Sequence, residues 1–387
     1  MFVILLMSDA ASIGMSILTL ILGAILGVVA TRVDQSIKNR QIVKKNEESR
    51  SQLPVYDPLK DDIIVLRRWN SIDTLSEVNT RIKYDESKIF DSQNPIITCP
   101  FISNQEEWIK MYSEAIKKEK KRSGAISYVT KLSLDHKDNR QGNRLELEVS
   151  TCDYLAHDIN SKYMRNHPED WEKIKTTLVN GELDDYFDHA MPGNLFVNFI
   201  VINGETNNVL AIKRSKQELN ARNIWGLTGF ETMNDVANAS NGSEELKLKG
   251  IVFRGLEEEL TLQKEEVAQV AISAISFVKH LGLMVTALVR INLVGDQVQD
   301  SEQKKIIPLT EGEFIHRILS KSESVYEHSN LKWIPINMEE MKKYIESGSG
   351  YYKDILVNDG NEDSWISYTK LQMYEIWRNH ESINIVL

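Results

Sequence analysis

Cysteine is scarce in this chain, and the motifs of several common enzyme classes are missing. Only Cys99 and Cys152 occur in 387 residues, far apart in the sequence. A disulfide framework or a structural zinc site is therefore not expected. Two buried thiols in a reducing compartment are the simpler expectation, with a single Cys99–Cys152 disulfide as the alternative. None of the eight histidines has H-E-x-x-H spacing, and the sequence contains no P-loop, G-x-G-x-x-G or G-x-S-x-G motif.

Positive charge is in short supply relative to negative charge. The chain has 46 Lys and Arg residues against 56 Asp and Glu residues, so its formal net charge is −10. Because affinity for a nucleic-acid backbone comes largely from clustered Lys and Arg, this balance argues against a nucleic-acid-binding protein. A small anionic ligand is not excluded, since a metal ion can neutralise its charge. The 42% hydrophobic fraction excludes a mainly disordered chain.

Charged side chains are absent from residues 13–30. A helix of this length rises about 27 Å, close to the roughly 30 Å hydrocarbon core of a bilayer. The preceding segment contains Asp9 and no Lys or Arg, unlike a cleavable signal peptide. Basic residues follow instead: Arg32, Lys38, Arg40, Lys44, Lys45 and Arg50. By the positive-inside rule we expect a single-pass anchor with the amino terminus outside and the carboxyl-terminal part in the cytoplasm.

Two glycines in this apolar segment have the spacing of helix-packing motifs. Gly23 and Gly27 lie four residues apart, which places them on one face of a helix. Close approach of a second copy through this face, giving a homodimer, is one hypothesis. A plain membrane span is the equal alternative, because glycine is common in such spans.

Hydrophobic periodicity predicts both strands and helices beyond the anchor. The predicted strands cover residues 63–66, 144–149, 195–203, 209–213, 267–275, 283–293 and 331–336. The predicted helices cover residues 106–121, 310–319, 338–345 and 364–378, and a buried stripe of Trp171, Ile174 and Leu178 is expected within a helical or loop-like region at 153–188.

Two segments carry the residues with the clearest chemistry. Residues 225–231 read W-G-L-T-G-F-E, and residues 254–262 read R-G-L-E-E-E-L-T-L. In a helix, Arg254 lies three and four residues before Glu257 and Glu258, so it is expected to pair with one of them. Neighbouring glutamates on this helix point about 100° apart, so they converge on a cation only if a loop supplies the other side of the site.

Together the two segments resemble the motif of the Nudix hydrolases, commonly written G-x5-E-x7-R-E-U-x-E-E-x-G-U, where U is bulky and apolar. The matching positions are Gly229, Arg254, Leu256, Glu258, Glu259 and Leu262. In that family the helix glutamates hold Mg²⁺ or Mn²⁺, and the metals assist attack of water on the diphosphate of a nucleoside diphosphate derivative. The resemblance therefore implies Glu258 and Glu259 as metal ligands and Arg254 as the residue that orients a glutamate.

Three features depart from the family pattern. Gly255 stands where the family usually has a metal-binding glutamate, and Thr261 replaces the late glycine. Between Gly229 and Arg254 lie 24 residues, about 11 more than in the family. The middle glutamate of the motif therefore has no unique match.

Several glutamates are candidates for the rest of the site. Glu231, Glu244 and Glu245 can each match the middle glutamate, and an additional ligand or base is expected from Glu231, Glu245 or Glu327. The resemblance implies an α+β fold, an α/β/α sandwich with a mixed sheet. The expected organisation is an anchor (1–31), a juxtamembrane linker (32–60), a mixed α/β region (61–140), a Nudix-like domain (141–345) and a helical extension (346–387).

Three hypotheses about function follow from these features. The leading one is a membrane-anchored, cytoplasm-facing hydrolase that uses a divalent metal to cleave a nucleoside diphosphate derivative. The departures favour a second, a catalytically degenerate domain that senses a nucleotide and is coupled to the membrane helix. The third is a scaffold without a small ligand. The motif does not specify the substrate, because specificity in this family resides in loops outside it.

Overall fold

The computed structural model describes most of the chain after residue 62. The described residues are 63–69, 79–93, 95, 99–118, 124–135, 144–187, 189, 193–214, 225–233, 247–279, 282–291, 310–320, 328–347, 352 and 369–380. All of them belong to one compact unit, Tyr56–Leu387. No helix in these ranges is long and apolar enough to cross a membrane. The predicted anchor at residues 13–30, with Gly23 and Gly27, lies outside them and stays a prediction.

The described residues form strands and helices in a mixed order along the chain. The strands are β1 (Ile63–Arg68), β2 (Asn79–Tyr84), β3 (Ala125–Asp135), β4 (Arg144–Asp153), β5 (Asn194–Asn203), β6 (Asn208–Arg214), β7 (Trp225–Leu227), β8 (Gly229–Thr232), β9 (Val267–Val278), β10 (Gly282–Ile291) and β11 (His328–Pro335). The helices are α1 (Gln105–Lys118), α2 (Tyr154–Asn166), α3 (Pro168–Val179), α4 (Leu183–Phe187), α5 (Leu248–Leu260), α6 (Glu311–Ser320), α7 (Met338–Ser347) and α8 (Thr369–Asn379).

The larger sheet has the strand order β1-β9-β10-β5-β6-β11, with β7 beside β6 and β8 beside β5. Strands β10 and β5 run parallel, and the other pairs are antiparallel, so the sheet is mixed. Every residue of β5 is buried. Its Val197 and Phe199 pack on the face covered by α5, whereas Ile200 and Ile202 pack on the face covered by α7 and α8. A strand covered on both faces is apolar along most of its length, which explains the hydrophobic runs 195–197 and 199–202 on either side of Asn198.

Strand β5 changes its partner along its length. Its first half pairs with β8 and its end pairs with β6. At this division Thr228, between β7 and β8, adopts a left-handed conformation with φ 63°. Its buried hydroxyl accepts a hydrogen bond from Val201 N at 2.8 Å and donates one to Leu210 O at 2.9 Å. These bonds satisfy backbone groups that the divided sheet leaves without a strand partner.

A smaller sheet, β2-β4-β3, packs with α1, α2 and α3 beside the larger one. Leu145, Leu147 and Val149 of β4 are fully buried, as expected for a strand of alternating apolar and polar residues. A hydrogen bond of 3.0 Å from Ser127 N to Met233 O joins β3 to the segment that follows β8. The small sheet therefore supports the end of β8.

The structure confirms the α+β class, the mixed sheet and most of the predicted elements. The stripe of Trp171, Ile174 and Leu178 is buried on α3, and Cys99 and Cys152 are free and buried. Residues 119–121 and 364–368 of two predicted helices lie outside the described residues, so the helical structure expected there stays a prediction. The division of the chain into the five predicted regions stays a prediction.

Candidate functional site

Helix α5 packs on one face of the larger sheet, directly against strand β8. The buried face of α5 consists of Leu248, Ile251, Val252, Gly255, Leu256 and Leu260. These residues recur at helical spacing and pack against β5 and β8, so the apolar stripe orients the helix. In its last turn Glu257 and Glu258 are exposed, whereas Glu259 is half-buried and its carboxylate lies against Gly229 of β8.

The helix ends at a residue that is unusual for its conformation. Thr261 has φ 58°, and its N–H donates to Glu257 O at 3.1 Å. Leu262 N donates to Leu256 O at 3.0 Å, and the Leu262 side chain is buried. The bond from Thr261 N to Glu257 O is that of the αL motif, in which the left-handed position usually holds glycine. Position 261 corresponds to the late glycine of the motif that the sequence resembles, so here a threonine takes the left-handed conformation.

Two glycines allow α5 to lie very close to the sheet. A Cβ atom at Gly255 would lie 2.7 Å from both Glu231 Cβ and Phe199 Cε1. A Cβ atom at Gly229 would meet Glu259 Oε2 and would lie 2.9 Å from Phe199 Cζ. Real Cβ atoms essentially never approach other atoms to less than 3.0 Å. The family's glutamate at position 255 is thus incompatible with the packing of this helix, which accounts for that departure.

Arg254 joins the helix to the strand. Its Nη2 atom donates to Glu231 Oε1 at 2.9 Å and to Thr232 O at 2.8 Å. The ion pair is partly shielded, with exposed side-chain fractions of 27% for Arg254 and 12% for Glu231. Arg254 was expected to pair along the helix with Glu257 or Glu258, but the salt bridge in the structure spans from the helix to β8. Its buried Nε atom has no hydrogen-bond partner among the described residues.

Of the predicted site residues, Glu231, Arg254 and Glu259 lie at the interface of β8 and α5, and Glu258 lies beside them on the exposed face of the helix. We refer to these four residues as the carboxylate seam. Glu244, Glu245 and Glu327 lie outside the described residues. Their assignment as ligands or base stays a prediction.

Within the described ranges, three potential ligand atoms approach within 4.8 Å of one another at His167, Glu169 and Asp170. The seam glutamates do not form such a set of three. Asp170 is fully buried, and its carboxylate accepts hydrogen bonds from Ser103 N, Ser103 Oγ, Tyr163 OH and Lys173 Nζ at 2.8 to 3.1 Å. These donors use its acceptor positions, so Asp170 joins α1, α2 and α3 rather than facing a ligand.

The pKa of Asp170 reflects the same contacts. Burial alone would raise it, but the hydrogen bonds from Lys173, Ser103 and Tyr163 together hold the pKa below its usual value. Sequence reasoning missed this residue, because an acidic residue in the first turn of a helix is ordinary. Only its partners from α2 and from the segment just before α1 show that it is buried.

A cavity of about 40 Å³ lies next to α2 and α3, apart from the carboxylate seam. His157, Trp171, Tyr186 and Phe277 are among its lining residues, and none of the predicted site residues lines it. By volume it holds about three water molecules. Burial lowers the pKa of His157 to about 4, so this imidazole is neutral near pH 7.

The seam offers carboxylate donors of the kind that bind a divalent cation such as Mg²⁺ or Mn²⁺, but within the described residues they do not converge as a set of three ligand atoms. Carboxylate oxygens are the ligands that these hard cations prefer. The Glu259 carboxylate occupies space that a side chain at position 229 would fill, so Gly229 provides a cradle for it. Arg254 holds one oxygen of Glu231. Glu258 is exposed one residue before Glu259, at the accessible side of the seam.

No family model matches the sequence, and no curated protein gives a significant match. Solved structures match part of the fold. The MutT protein from Methanosarcina mazei Go1 is 14% identical with a TM-score of 0.27, over 49% of this chain and 96% of that one. DR0079 from Deinococcus radiodurans is 14% identical with a TM-score of 0.24, over 42% of this chain and 78% of that one.

A third similar structure is a bifunctional NMN adenylyltransferase/ADP ribose pyrophosphatase from Francisella tularensis, complexed with AMP and a manganese ion. It is 12% identical with a TM-score of 0.26, over 73% of this chain and 76% of that one. These TM-scores are too low to indicate an activity. A functional assignment therefore depends on the side chains of the chain itself.

Proposed function

We propose that this chain is a metal-dependent hydrolase that cleaves the diphosphate of a nucleoside diphosphate derivative at the carboxylate seam. The observation that carries the proposal is the packing of α5 on β8. Gly229 and Gly255 bring the helix close enough for Glu259 and Glu231 to share one interface, with Arg254 bonded to Glu231. Glu231 is thereby brought together with Arg254 and Glu259, which lie 23 and 28 positions further along the chain, across the insert.

The residues of the seam have separate roles in this proposal. Glu258, Glu259 and Glu231 hold Mg²⁺ or Mn²⁺ through carboxylate oxygens. When bound, such a metal neutralises diphosphate charge and lowers the pKa of a coordinated water. Arg254 fixes the direction of the Glu231 carboxylate through its bonds to Glu231 and Thr232 O.

The test uses the full-length chain with Mg²⁺ or Mn²⁺ and a panel of NDP-sugars, ADP-ribose, dinucleotides and nucleoside triphosphates. We expect turnover of at least one diphosphate compound, and a loss of about 100-fold or more in kcat for Glu258→Gln combined with Glu259→Gln. Glu257→Gln is the matched control, because Glu257 is exposed on the same turn and is not a matching motif position. Intact substrates under conditions in which a control hydrolase is active would contradict the proposal.

A nucleotide sensor without catalysis is the second candidate. The observation that favours it is that the described seam glutamates do not converge as a set of three ligand atoms. A sensor should show stabilisation by its ligand, rising as RT ln(1 + [L]/Kd), without formation of product. Thermal unfolding with each compound of the same panel, alongside product analysis, separates the two functions.

We further propose that the enzyme is anchored to a membrane by residues 13–30 and faces the cytoplasm. The support is the uncharged segment and the basic residues that follow it. Self-association through Gly23 and Gly27 is part of this proposal. In cells, the full chain should resist extraction by alkaline carbonate, and a deletion of residues 13–30 should be released. Gly23→Ile with Gly27→Ile should weaken self-association in a membrane reporter assay.

A further inference from the structure

The division of the larger sheet between β7 and β8 is bridged by a side chain from α8. Gln372 is 1% exposed, and its Nε2 donates to Leu227 O at 2.9 Å while its Oε1 accepts from Leu227 N at 3.3 Å. Gln372 thus bonds both backbone groups of Leu227, as a residue of a neighbouring strand would do. It thereby occupies the place of a strand partner.

The same amide continues into β5 and β8. Gln372 Nε2 also donates to Asn198 Oδ1 at 2.9 Å, and Asn198 Nδ2 donates to Gly229 O at 3.0 Å. Both Gln372 and Asn198 are buried at 1% exposure. Buried amides that satisfy each other in a chain are costly to disturb, because each broken bond leaves a polar group without a partner.

This chain of amides ends at the backbone of the carboxylate seam. Gly229 is the residue against which the Glu259 carboxylate lies, and Glu231 is two residues further along the same strand, on the same face. Helix α8 lies on the opposite face of the sheet from α5. A helix outside the motif is therefore connected through the sheet to the residues that form the seam.

We propose that Gln372, acting through Asn198, is a positioning residue that sets β8 and hence the relative placement of Glu231 and Glu259. The inference rests on the proposed function, because the importance of that placement lies in holding the metal. Gln372 touches neither the metal ligands nor a substrate; its effect is transmitted by the Gly229 carbonyl. The expected consequence is a dependence of metal affinity on the α8 amide.

Gln372→Met tests the proposal, because it keeps the side-chain length and removes the amide. Ile376→Ala is the matched control, since Ile376 is fully buried one turn further on α8 and its loss lowers stability without removing a hydrogen bond. Asn198→Ala removes the same link from the β5 side and serves if Gln372→Met does not fold. The full chain carries each change.

Two measurements are made on each folded variant: amide hydrogen exchange of residues 229–232, and affinity for Mn²⁺ alone. We expect exchange about tenfold faster and Mn²⁺ affinity about tenfold weaker for Gln372→Met, with both unchanged for Ile376→Ala. Equal exchange in the two variants, or unchanged Mn²⁺ affinity in Gln372→Met, overturns the proposal. If the wild type itself binds no Mn²⁺, the proposed function fails, and the exchange comparison alone decides whether α8 positions β8.

Discussion

Two regions of the molecule treat acidic side chains in opposite ways. Among α1, α2 and α3, Asp170 is completely buried and accepts hydrogen bonds from Ser103, Tyr163 and Lys173. In the carboxylate seam, Glu231 and Glu259 are half-buried, and the neighbouring Glu258 is exposed. A carboxylate enclosed by protein donors holds elements together, whereas carboxylates that keep contact with solvent can exchange a cation. Proximity of possible metal ligands alone, as at His167, Glu169 and Asp170, therefore does not indicate a metal site.

The largest effect should come from breaking the enclosed carboxylate. Asp170→Asn leaves Lys173 without its buried partner and places an amide where Ser103 N–H needs an acceptor. We expect a loss of about 3 kcal/mol in the free energy of unfolding, measured by urea denaturation, because the buried carboxylate loses its charge-assisted hydrogen bonds, with Mn²⁺ affinity unchanged. Glu259→Gln should weaken Mn²⁺ binding and leave the free energy of unfolding nearly unchanged. Equal effects of both substitutions on stability would erase the distinction between the regions.

Acid pH should lower the stability of the protein through the same α1–α3 region. The pKa of His157 is lowered to about 4 by burial, from an ordinary value of 6.5. In this interval the unfolded chain binds more protons than the folded one, so stability falls as the pH falls from 6.5 towards 4, by about 3 kcal/mol.

Asp170 acts in the same direction at lower pH. Because its folded pKa lies below the ordinary value, its contribution to stability is lost as the pH falls through that range. Urea denaturation across the pH range measures both effects. His157→Gln should remove the part of the slope between pH 6.5 and 4; an unchanged slope would show that another group is responsible.

The close packing of α5 on the sheet can be tested by replacing Gly255 with alanine. A helix usually gains about 0.5–1 kcal/mol from replacement of glycine by alanine. At Gly255 the added Cβ would lie 2.7 Å from Phe199 and Glu231, so we expect a loss of about 2 kcal/mol and weaker Mn²⁺ binding. Gly312 of α6 has no atom within 4 Å of such a Cβ, and Gly312→Ala should show the ordinary gain. Similar changes in thermal stability for both would contradict the packing argument.

The smallest effect should come from the end of α5. Thr261 is in the left-handed region, and its buried hydroxyl has no hydrogen-bond partner among the described residues. Thr261→Gly relieves the backbone strain but increases the freedom of the unfolded chain, so a net gain of about 0.5 kcal/mol is expected. Activity should stay the same, since the backbone hydrogen bonds from residues 261 and 262 to the helix are retained. A loss of stability would mean that the threonine side chain contributes packing.

Much of the fold could be predicted from local patterns. The alternation of β4, the apolar runs of β5 and β10 and the stripe on α3 are periodic within one element, so each is visible without its neighbours. Strand β7 has three residues and β8 has four, too few for a period to show. Their positions depend on side chains that bond backbone groups at the division of the sheet. These are Thr228 between the two strands, and Asn198 and Gln372 from distant parts of the chain.

The candidate site was predicted only in part for the same reason. The motif indicated Arg254 and Glu259, but a spacing rule along one helix pointed Arg254 to Glu257 or Glu258, and its salt bridge is to Glu231 across the insert. Position 255 has no room for a side chain because Phe199 packs against it. Phe199 lies 56 residues earlier in the sequence, so this contact appears only in the folded structure. Contacts between elements decide these features, and no single segment contains them.

The contact of Phe199 with position 255 has a consequence for how this sequence can change. A glutamate at 255, the residue usual in the resembling family, requires room that the Phe199 ring and Glu231 now fill. Phe199 also meets the Cβ position of Gly229, so shrinking that ring without enlarging a neighbour opens a cavity beneath α5. Substitutions at positions 199, 229 and 255 are therefore coupled, and a glutamate introduced at 255 alone would clash with its own neighbours.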